Sequence, residues 1–99
     1  MPYFWGRDEA DMRAIDVVVS GRVQMVGFRA FTRRNAALLG VKGYVENRDD
    51  GKVHAVLEGE DYQVDKMLEM VRQGPRSSQV RDVQVRDIDS HGYEGFEVR

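Results

Sequence analysis

The chain of 99 residues contains no cysteine, no long apolar segment and little net charge, and each absence excludes a class of protein. Without cysteine it has neither a disulfide framework nor thiolate chemistry, which fits a reducing compartment. No apolar run approaches the roughly 20 residues that a transmembrane helix needs. The N-terminus has no basic region followed by a long apolar run, so we expect no secretory signal, no membrane association and a cytoplasmic location.

The charge balance also limits the partners. A formal net charge of −2 argues against broad nucleic-acid binding, which normally needs a clustered basic face. An anionic small molecule would need only a local positive site. With 41% hydrophobic and 32% charged residues, the composition is that of one small globular domain.

The first residues differ from the rest of the chain because they show no periodicity that would predict a packed element. Residues 1–12 are expected to form a flexible N-terminal extension, and residues 13–99 the folded domain. The aromatic residues Tyr3, Phe4 and Trp5 stand in a row within the extension, and docking on the sheet or on a neighbouring subunit is the alternative.

The order of the predicted elements gives the fold class. A β-branched run over about 14–20 predicts a strand, and good helix formers predict a helix over about 29–39, ended by Gly40. That helix is expected to bury one stripe of side chains, Phe28, Thr32, Ala36 and Leu39.

The second half of the chain repeats that order. Strands over 41–48 and 52–58 flank Asp49-Asp50-Gly51, a hairpin signal, and a two-residue Asp50-Gly51 loop would place Asn47 across from His54. A helix follows from Asp61, its predicted N-cap, to about residue 72, then a strand over 80–89 and a short segment at 96–99. The sequence therefore predicts an α+β, ferredoxin-like βαββαβ fold, an antiparallel sheet with two helices packed on one face.

The loop between the first strand and the first helix is the strongest functional signal. It reads Gly-Arg-Val-Gln-Met-Val-Gly-Phe-Arg over residues 21–29. A strand that turns abruptly into a helix leaves the first helical N–H groups without intrahelical partners, and the helix dipole adds positive charge there. Arg29 adds a planar fork of donors suited to phosphoryl oxygens. The sequence therefore predicts a phosphate-binding loop.

Two motifs together resemble the acylphosphatase family over nearly everything after Met12. The first is the loop at 21–29; the second is Gly-Tyr-Val-Glu-Asn-Arg-Asp-Asp-Gly-Lys-Val over 43–53, followed by Glu58-Gly59. Their order, their separation by one helix and the Gly74-Pro75 pair after the second helix support the resemblance. It implies a metal-independent hydrolase that cleaves the carboxyl–phosphate bond of small acyl phosphates and acts as a monomer without a cofactor.

The resemblance also implies roles for particular residues. Arg29 would be the phosphate-binding arginine, and Asn47 would position the attacking water. The phosphate cradle, which would also hold free phosphate or sulfate, would be completed by backbone N–H groups of the loop residues Gln24, Met25, Val26, Gly27 and Phe28. The histidines His54 and His91 are isolated, and no cluster of cysteine, histidine and acidic residues has the spacing of metal ligands.

The sequence departs from the family at Met25, where the family's loop normally carries glycine. Glycine permits positive φ and a close approach of the backbone to a ligand. Methionine in a left-handed conformation costs about 1–2 kcal/mol. Our hypothesis is that the Met25 side chain points out of the loop and leaves the N–H groups in place. The alternative is a noncatalytic acylphosphatase-like module that binds anions.

Other features have simpler interpretations. Lys42-Gly43-Tyr44 is similar to the start of an RNA-recognition strand motif, but Glu46 and Asn47 stand where aromatic residues should continue it, so no nucleic-acid partner is expected. Arg33 and Arg34 predict a solvated helix face, with substrate steering as the alternative. The acidic residues at 49–50 and 58–61 are explained by turn chemistry and helix capping.

Overall fold

The structure is a computed structural model that describes residues 12–99. The predicted extension therefore lies outside the described residues except for Met12, which is the first residue of a strand. The elements are β1 (Met12–Arg22), α1 (Phe28–Leu39), β2 (Lys42–Asn47), β3 (Val53–Glu60), α2 (Asp61–Gln73), β4 (Gln79–Ile88) and β5 (Phe96–Val98). Neither helix in this part of the chain is long and apolar enough to cross a membrane.

The five strands form one sheet in the order β4-β1-β3-β2-β5. The neighbours β4, β1, β3 and β2 are all antiparallel, as the βαββαβ order predicts. The short strand β5 extends this sheet by pairing with β2 in parallel, which was not predicted. The ferredoxin-like α+β fold is thus confirmed. The parallel edge strand β5 makes the sheet mixed and not purely antiparallel.

The core lies between the sheet and the two helices. Alternate residues of β1 point to the same face of the sheet, and Ile15, Val17 and Val19 are buried there. The helices contribute stripes at helical spacing, so apolar side chains meet across one layer. The buried helix residues are Phe28, Thr32 and Ala36 of α1 and Val64, Met67 and Val71 of α2. Leu39, which was expected in the stripe, is only partly buried.

The β2–β3 hairpin differs from the expected two-residue turn. Its loop has three residues, Asp49, Asp50 and Gly51, closed by a hydrogen bond of 2.8 Å from the Arg48 N–H to the Lys52 carbonyl oxygen. Gly51 has a φ of 88°, as a three-residue loop with a left-handed third position requires. This register pairs Asn47 with Val53 and Glu46 with His54. Asn47 therefore does not face His54, because a shift of one residue moves a side chain to the other face.

The second helix begins with a capping box rather than with the predicted Asp61 cap. Glu60 is the N-cap, its side chain accepts from the backbone of Gln63, and the Gln63 Oε1 accepts a hydrogen bond of 2.8 Å from the Glu60 N–H. The usual partner in a capping box is a glutamate or glutamine three residues after the N-cap, and here it is Gln63. Glu60 thus caps the helix, one residue earlier than expected. Glu58, which was also expected to serve capping, is instead buried and accepts hydrogen bonds from the backbone of residues 91–93.

Candidate active site

A cleft of about 660 Å³ opens where the loop between β1 and α1 meets the ends of β2 and β5. It brings together residues that are far apart in the sequence. Its lining residues come from the loop, from the first three turns of α1 and from the two strand ends: Val23, Met25, Gly27, Phe28, Arg29, Ala30, Arg33, Arg34, Ala37, Asn47 and Val98.

The backbone of the loop takes two left-handed conformations in quick succession. Met25 has a φ of 64°, and it is the one residue other than glycine with positive φ among residues 12–99. Gly27, the N-cap of α1, has φ 80° and ψ 19°. The Met25 side chain is 99% exposed. It therefore points out of the loop, as hypothesised.

The loop presents a row of unpaired donors. No backbone carbonyl or side chain of residues 12–99 accepts a hydrogen bond from the N–H groups of residues 24–28. The N–H groups that begin a helix also lack intrahelical partners, and the dipole places partial positive charge at that end. No acidic residue stands in the first turn of α1 to neutralise it. The loop is therefore suited to an anion with several acceptor oxygens.

Arg29 is the second residue of α1 and lines the cleft. Its Nη1 donates a hydrogen bond of 2.9 Å to the backbone oxygen of Arg99. A guanidinium has five N–H donors, so this contact orients the side chain and leaves further donors for a ligand. A cation at a helix N-terminus is unfavourable on its own, and an anion bound between them would reverse the sign of that interaction.

Arg99, whose backbone oxygen accepts the hydrogen bond from Arg29, is itself held by side chains of β2 and β5. The Arg99 guanidinium lies 3.7 Å from the centroid of the Tyr44 ring, within the range of a cation–π contact, and its Nε donates to Glu97 at 3.1 Å. That hydrogen bond raises the pKa of Arg99. Partial burial raises the pKa of the Tyr44 hydroxyl above its usual value, with Tyr93 and Glu46 adding to the effect.

Asn47 is the last residue of β2 and is exposed to the cleft. Its carboxamide makes no hydrogen bond with any of the residues 12–99, so both its donor and its acceptor atoms are available. The structure thus brings Arg29 and Asn47 to the same cleft as the loop residues Met25, Gly27 and Phe28. Gln24 and Val26 are not among the lining residues; they belong to the loop by their backbone.

The side chain of Gln24 has a role that the sequence analysis did not identify. Its Nε2 donates to the carbonyl oxygens of Arg48 at 2.8 Å and Lys52 at 2.9 Å. These two carbonyls flank the hairpin turn that follows Asn47 in the chain. Gln24 therefore fastens the loop to the hairpin, and a glutamine at this position of the motif was the only sequence signal.

His54 lies on the face of the sheet opposite the helices. Its Nδ1 is 2.8 Å from the Glu46 carboxylate and its Nε2 is 3.1 Å from both oxygens of Asp16, with the Arg86 guanidinium 3.6 Å from Asp16. His54 is isolated in the sequence, but in the structure it lies between the carboxylates of Glu46 and Asp16. Among residues 12–99, no three acidic, histidine or cysteine side chains form a group that could hold a metal ion.

Comparisons with known proteins agree with one another. A family model described as Acylphosphatase matches residues 15–98. A curated protein named Acylphosphatase, from Methanocella arvoryzae, is 68% identical over 88 residues, which are 89% of this chain and 100% of that protein. The structure of an acylphosphatase from Coxiella burnetii is similar with a TM-score of 0.88 and 35% identity, over 92% of this chain and 96% of that one. The crystal structure of acylphosphatase from Bacillus subtilis gives a TM-score of 0.85 and 35% identity, over 88% and 98%.

Proposed function

This chain belongs to the acylphosphatase family and hydrolyses carboxyl–phosphate bonds, and we propose that Arg29, Asn47 and the backbone of residues 24–28 carry out that reaction. One observation carries the proposal. Arg29 and Asn47 come from separate motifs and line one cleft beside a loop with unpaired N–H groups.

The first part of the proposal is phosphate binding. The N–H groups of residues 24–28 and the Arg29 guanidinium surround one anion and donate to its non-bridging oxygens. Charge-assisted hydrogen bonds of this kind are about twice as strong as neutral ones. They matter most when negative charge shifts during the reaction, because donors fixed in advance need no reorganisation. The hydrogen bond from Arg29 to the Arg99 oxygen fixes the guanidinium in this way.

The second part is the attack by water. Asn47 holds a water through its carboxamide on the side of the phosphorus away from the acyl group. The water oxygen forms a new bond to phosphorus as the bond between phosphorus and the acyl oxygen breaks. The electrons of the broken bond leave with the carboxylate, and the protons of the water pass to phosphate and solvent. A carboxylate is a good leaving group, so positioning and charge stabilisation are sufficient.

Met25 is compatible with this proposal. The position already has a positive φ, and its side chain lies outside the loop. The donors that a glycine would offer are therefore offered by methionine as well. The retained N–H donors favour an active loop over the alternative of a noncatalytic module.

The test is phosphate release from a simple acyl phosphate by the parent and by variants. We expect Arg29→Ala to lower kcat/KM by about 100-fold or more and to abolish inhibition by inorganic phosphate, because it removes the main charge on the anion. Asn47→Ala should lower kcat by about 100-fold and leave phosphate inhibition in place, since misplaced water slows only the chemical step.

Matched controls remove one arginine or one asparagine elsewhere. Arg72→Ala at the end of α2 and Asn35→Ala, whose amide donates to the Phe31 carbonyl oxygen, lie outside the cleft and should keep the parent rate. Parent rates in either cleft variant would remove that residue from the proposed mechanism. Phosphate binding without turnover in the parent would favour the noncatalytic module.

We further propose that the chain is a cytoplasmic monomer and that free phosphate or sulfate binds at the same loop. The exposed large hydrophobic side chains of the described residues support the monomer, because they lie on different elements: Met12, Met25, Leu38, Tyr62, Val85 and Val98. Light scattering of the purified chain tests the oligomeric state, and cell fractionation tests the location.

A further inference from the structure

The helix that borders the cleft has an unusual charge. α1 contains Arg29, Arg33 and Arg34 and not one acidic residue, although the whole chain has a net charge of −2. All three arginines line the cleft. A smaller cavity of about 280 Å³ continues from it, sharing Arg33 and Ala37 and reaching Lys42. None of the described residues that line either cavity is acidic.

This arrangement is unfavourable without a ligand. Arg29 and Arg33 stand four residues apart, so they are neighbours on the helix surface, and like charges at this spacing destabilise a helix. Neither Arg33 nor Arg34 makes an ion pair or hydrogen bond with any of the residues 12–99. An ordinary solvated helix face mixes both signs of charge and forms pairs of opposite charge along the helix. The interpretation as a solvated face therefore leaves the charge of α1 unexplained.

Phosphate alone does not account for all three arginines. The loop N–H groups and Arg29 already surround the phosphoryl oxygens in the proposed function. Arg33 lies one helical turn further along, a spacing at which the Cβ atoms of two helical residues are roughly 5–6 Å apart. It lines the same cleft next to the small side chains of Ala30 and Ala37, which leave room for an acyl group.

We propose that Arg33, supported by Arg34, forms a second anion subsite that selects acyl phosphates with a carboxylate or other negative group on the acyl chain. This inference rests on the proposed function, because it takes the phosphate to lie at Arg29. The spacing fits an acyl chain with two carbon atoms between the reacting carbonyl and the second carboxylate. Such a substrate places one negative group at each of two successive turns of α1.

The test compares two substrates of similar size, butyryl phosphate and succinyl phosphate, which differ by a carboxylate in place of the terminal methyl group. We expect kcat/KM for succinyl phosphate to exceed that for butyryl phosphate by about five- to tenfold at low salt, as a partly exposed charge pair would give. The preference should fall as sodium chloride is raised, because salt screens exposed charges.

The variants assign the preference to residues. Arg33→Ala should remove most of the preference, with a much smaller change in kcat/KM for butyryl phosphate. Arg33→Lys should keep part of it, because the charge remains and the planar fork is lost. Arg34→Ala should reduce it by less. Arg72→Ala removes one positive charge outside the cleft and should leave the preference unchanged.

Equal kcat/KM for both substrates in the parent, or an unchanged preference in Arg33→Ala, overturns the subsite while hydrolysis of butyryl phosphate leaves the proposed function standing. No hydrolysis of either substrate overturns both proposals. If Arg72→Ala loses the preference for succinyl phosphate as fully as Arg33→Ala does, net charge explains the preference and the role of Arg33 is overturned.

Discussion

At the scale of the residue, Met25 combines a strained backbone with an unconstrained side chain. Its φ of 64° lies in the left-handed region, and its side chain is 99% exposed. The cost of that conformation comes from the Cβ atom, about 1–2 kcal/mol, and not from the rest of the side chain. Truncation to alanine and to glycine therefore separates the two properties.

We expect Met25→Ala to leave the free energy of unfolding within about 0.5 kcal/mol of the parent, because an exposed side chain is lost and the Cβ remains. Met25→Gly should be more stable than Met25→Ala by about 0.5–1 kcal/mol, since relief of strain exceeds the entropy cost of glycine in the unfolded chain. Denaturant unfolding of the three proteins measures both differences.

The same variants report on the loop. Both should hydrolyse acyl phosphates at the parent rate, because neither changes the N–H groups. A large loss of activity in Met25→Ala would show that the thioether contacts substrate. A large gain in Met25→Gly would show that methionine distorts the loop.

At the scale of the element, the loop and the hairpin act as one unit because Gln24 joins them. Its amide donates to carbonyl oxygens on both sides of the β2–β3 turn, at 2.8 and 2.9 Å. Asn47 immediately precedes Arg48, one of the two acceptors. The distance between the loop at residues 24–28 and Asn47 therefore depends on the Gln24 side chain.

We expect Gln24→Ala to lower kcat and to leave inhibition by phosphate nearly unchanged, because the N–H groups of the loop remain while Asn47 is no longer held relative to them. Loss of two hydrogen bonds should also lower the free energy of unfolding by about 1–2 kcal/mol. Gln73→Ala at the exposed end of α2 is the control. In an Asn47→Ala background, Gln24→Ala should change kcat no further; an additive loss would contradict the coupling.

The hairpin also shows what the sequence could and could not predict. Asp-Gly between two apolar runs predicts a turn, and the turn is there. The number of residues in the loop was not predictable, since Asp49-Asp50-Gly51 suits a two-residue or a three-residue turn. That single residue decides the register, and the register moves His54 to Glu46 and Asp16 on the face away from Asn47.

The remaining differences between the predicted and the observed structure arise from contacts between parts of the chain that are distant in the sequence. Local patterns predicted the helices and the antiparallel strands because periodicity and caps are encoded nearby. The motifs predicted that Arg29 and Asn47 belong together, and the structure brings both to one cleft. The parallel pairing of β5 has no local signal, and neither has the burial of Glu58, which the sequence analysis assigned to an acidic run.

At the scale of the whole molecule, Glu58 links the centre of the sheet to the last part of the chain. Only 2% of its surface is exposed, and its carboxylate accepts backbone N–H groups from His91 at 2.6 Å, Gly92 at 2.9 Å and Tyr93 at 3.2 Å. This segment leads into β5, and from β5 the chain reaches the Arg99 oxygen that holds Arg29. A buried carboxylate thus supports the position of Arg29 in the cleft from a distance.

We expect Glu58→Ala to lower the free energy of unfolding by about 3 kcal/mol, because three backbone N–H groups lose a buried, charged acceptor. Glu58→Gln should also be destabilised, since the amide replaces one acceptor oxygen with a donor that faces N–H groups. Glu94→Ala, in the same segment but exposed, should unfold like the parent. Denaturant unfolding measures the free energy of unfolding of each variant. Equal values for Glu58→Ala and Glu94→Ala would contradict the stabilising role of Glu58.

The cleft draws its lining from a loop near residue 25, a strand end at Asn47 and the far edge strand at Val98. These three pieces meet only after β1 has paired with β3 and β4, and β5 with β2. Pairings between distant segments form slowly, because closing the intervening chain costs conformational entropy before any stabilising contact is made. We therefore expect activity to appear late in folding, since a chain that has formed α1 and the β2–β3 hairpin still lacks the side of the cleft that β5 provides.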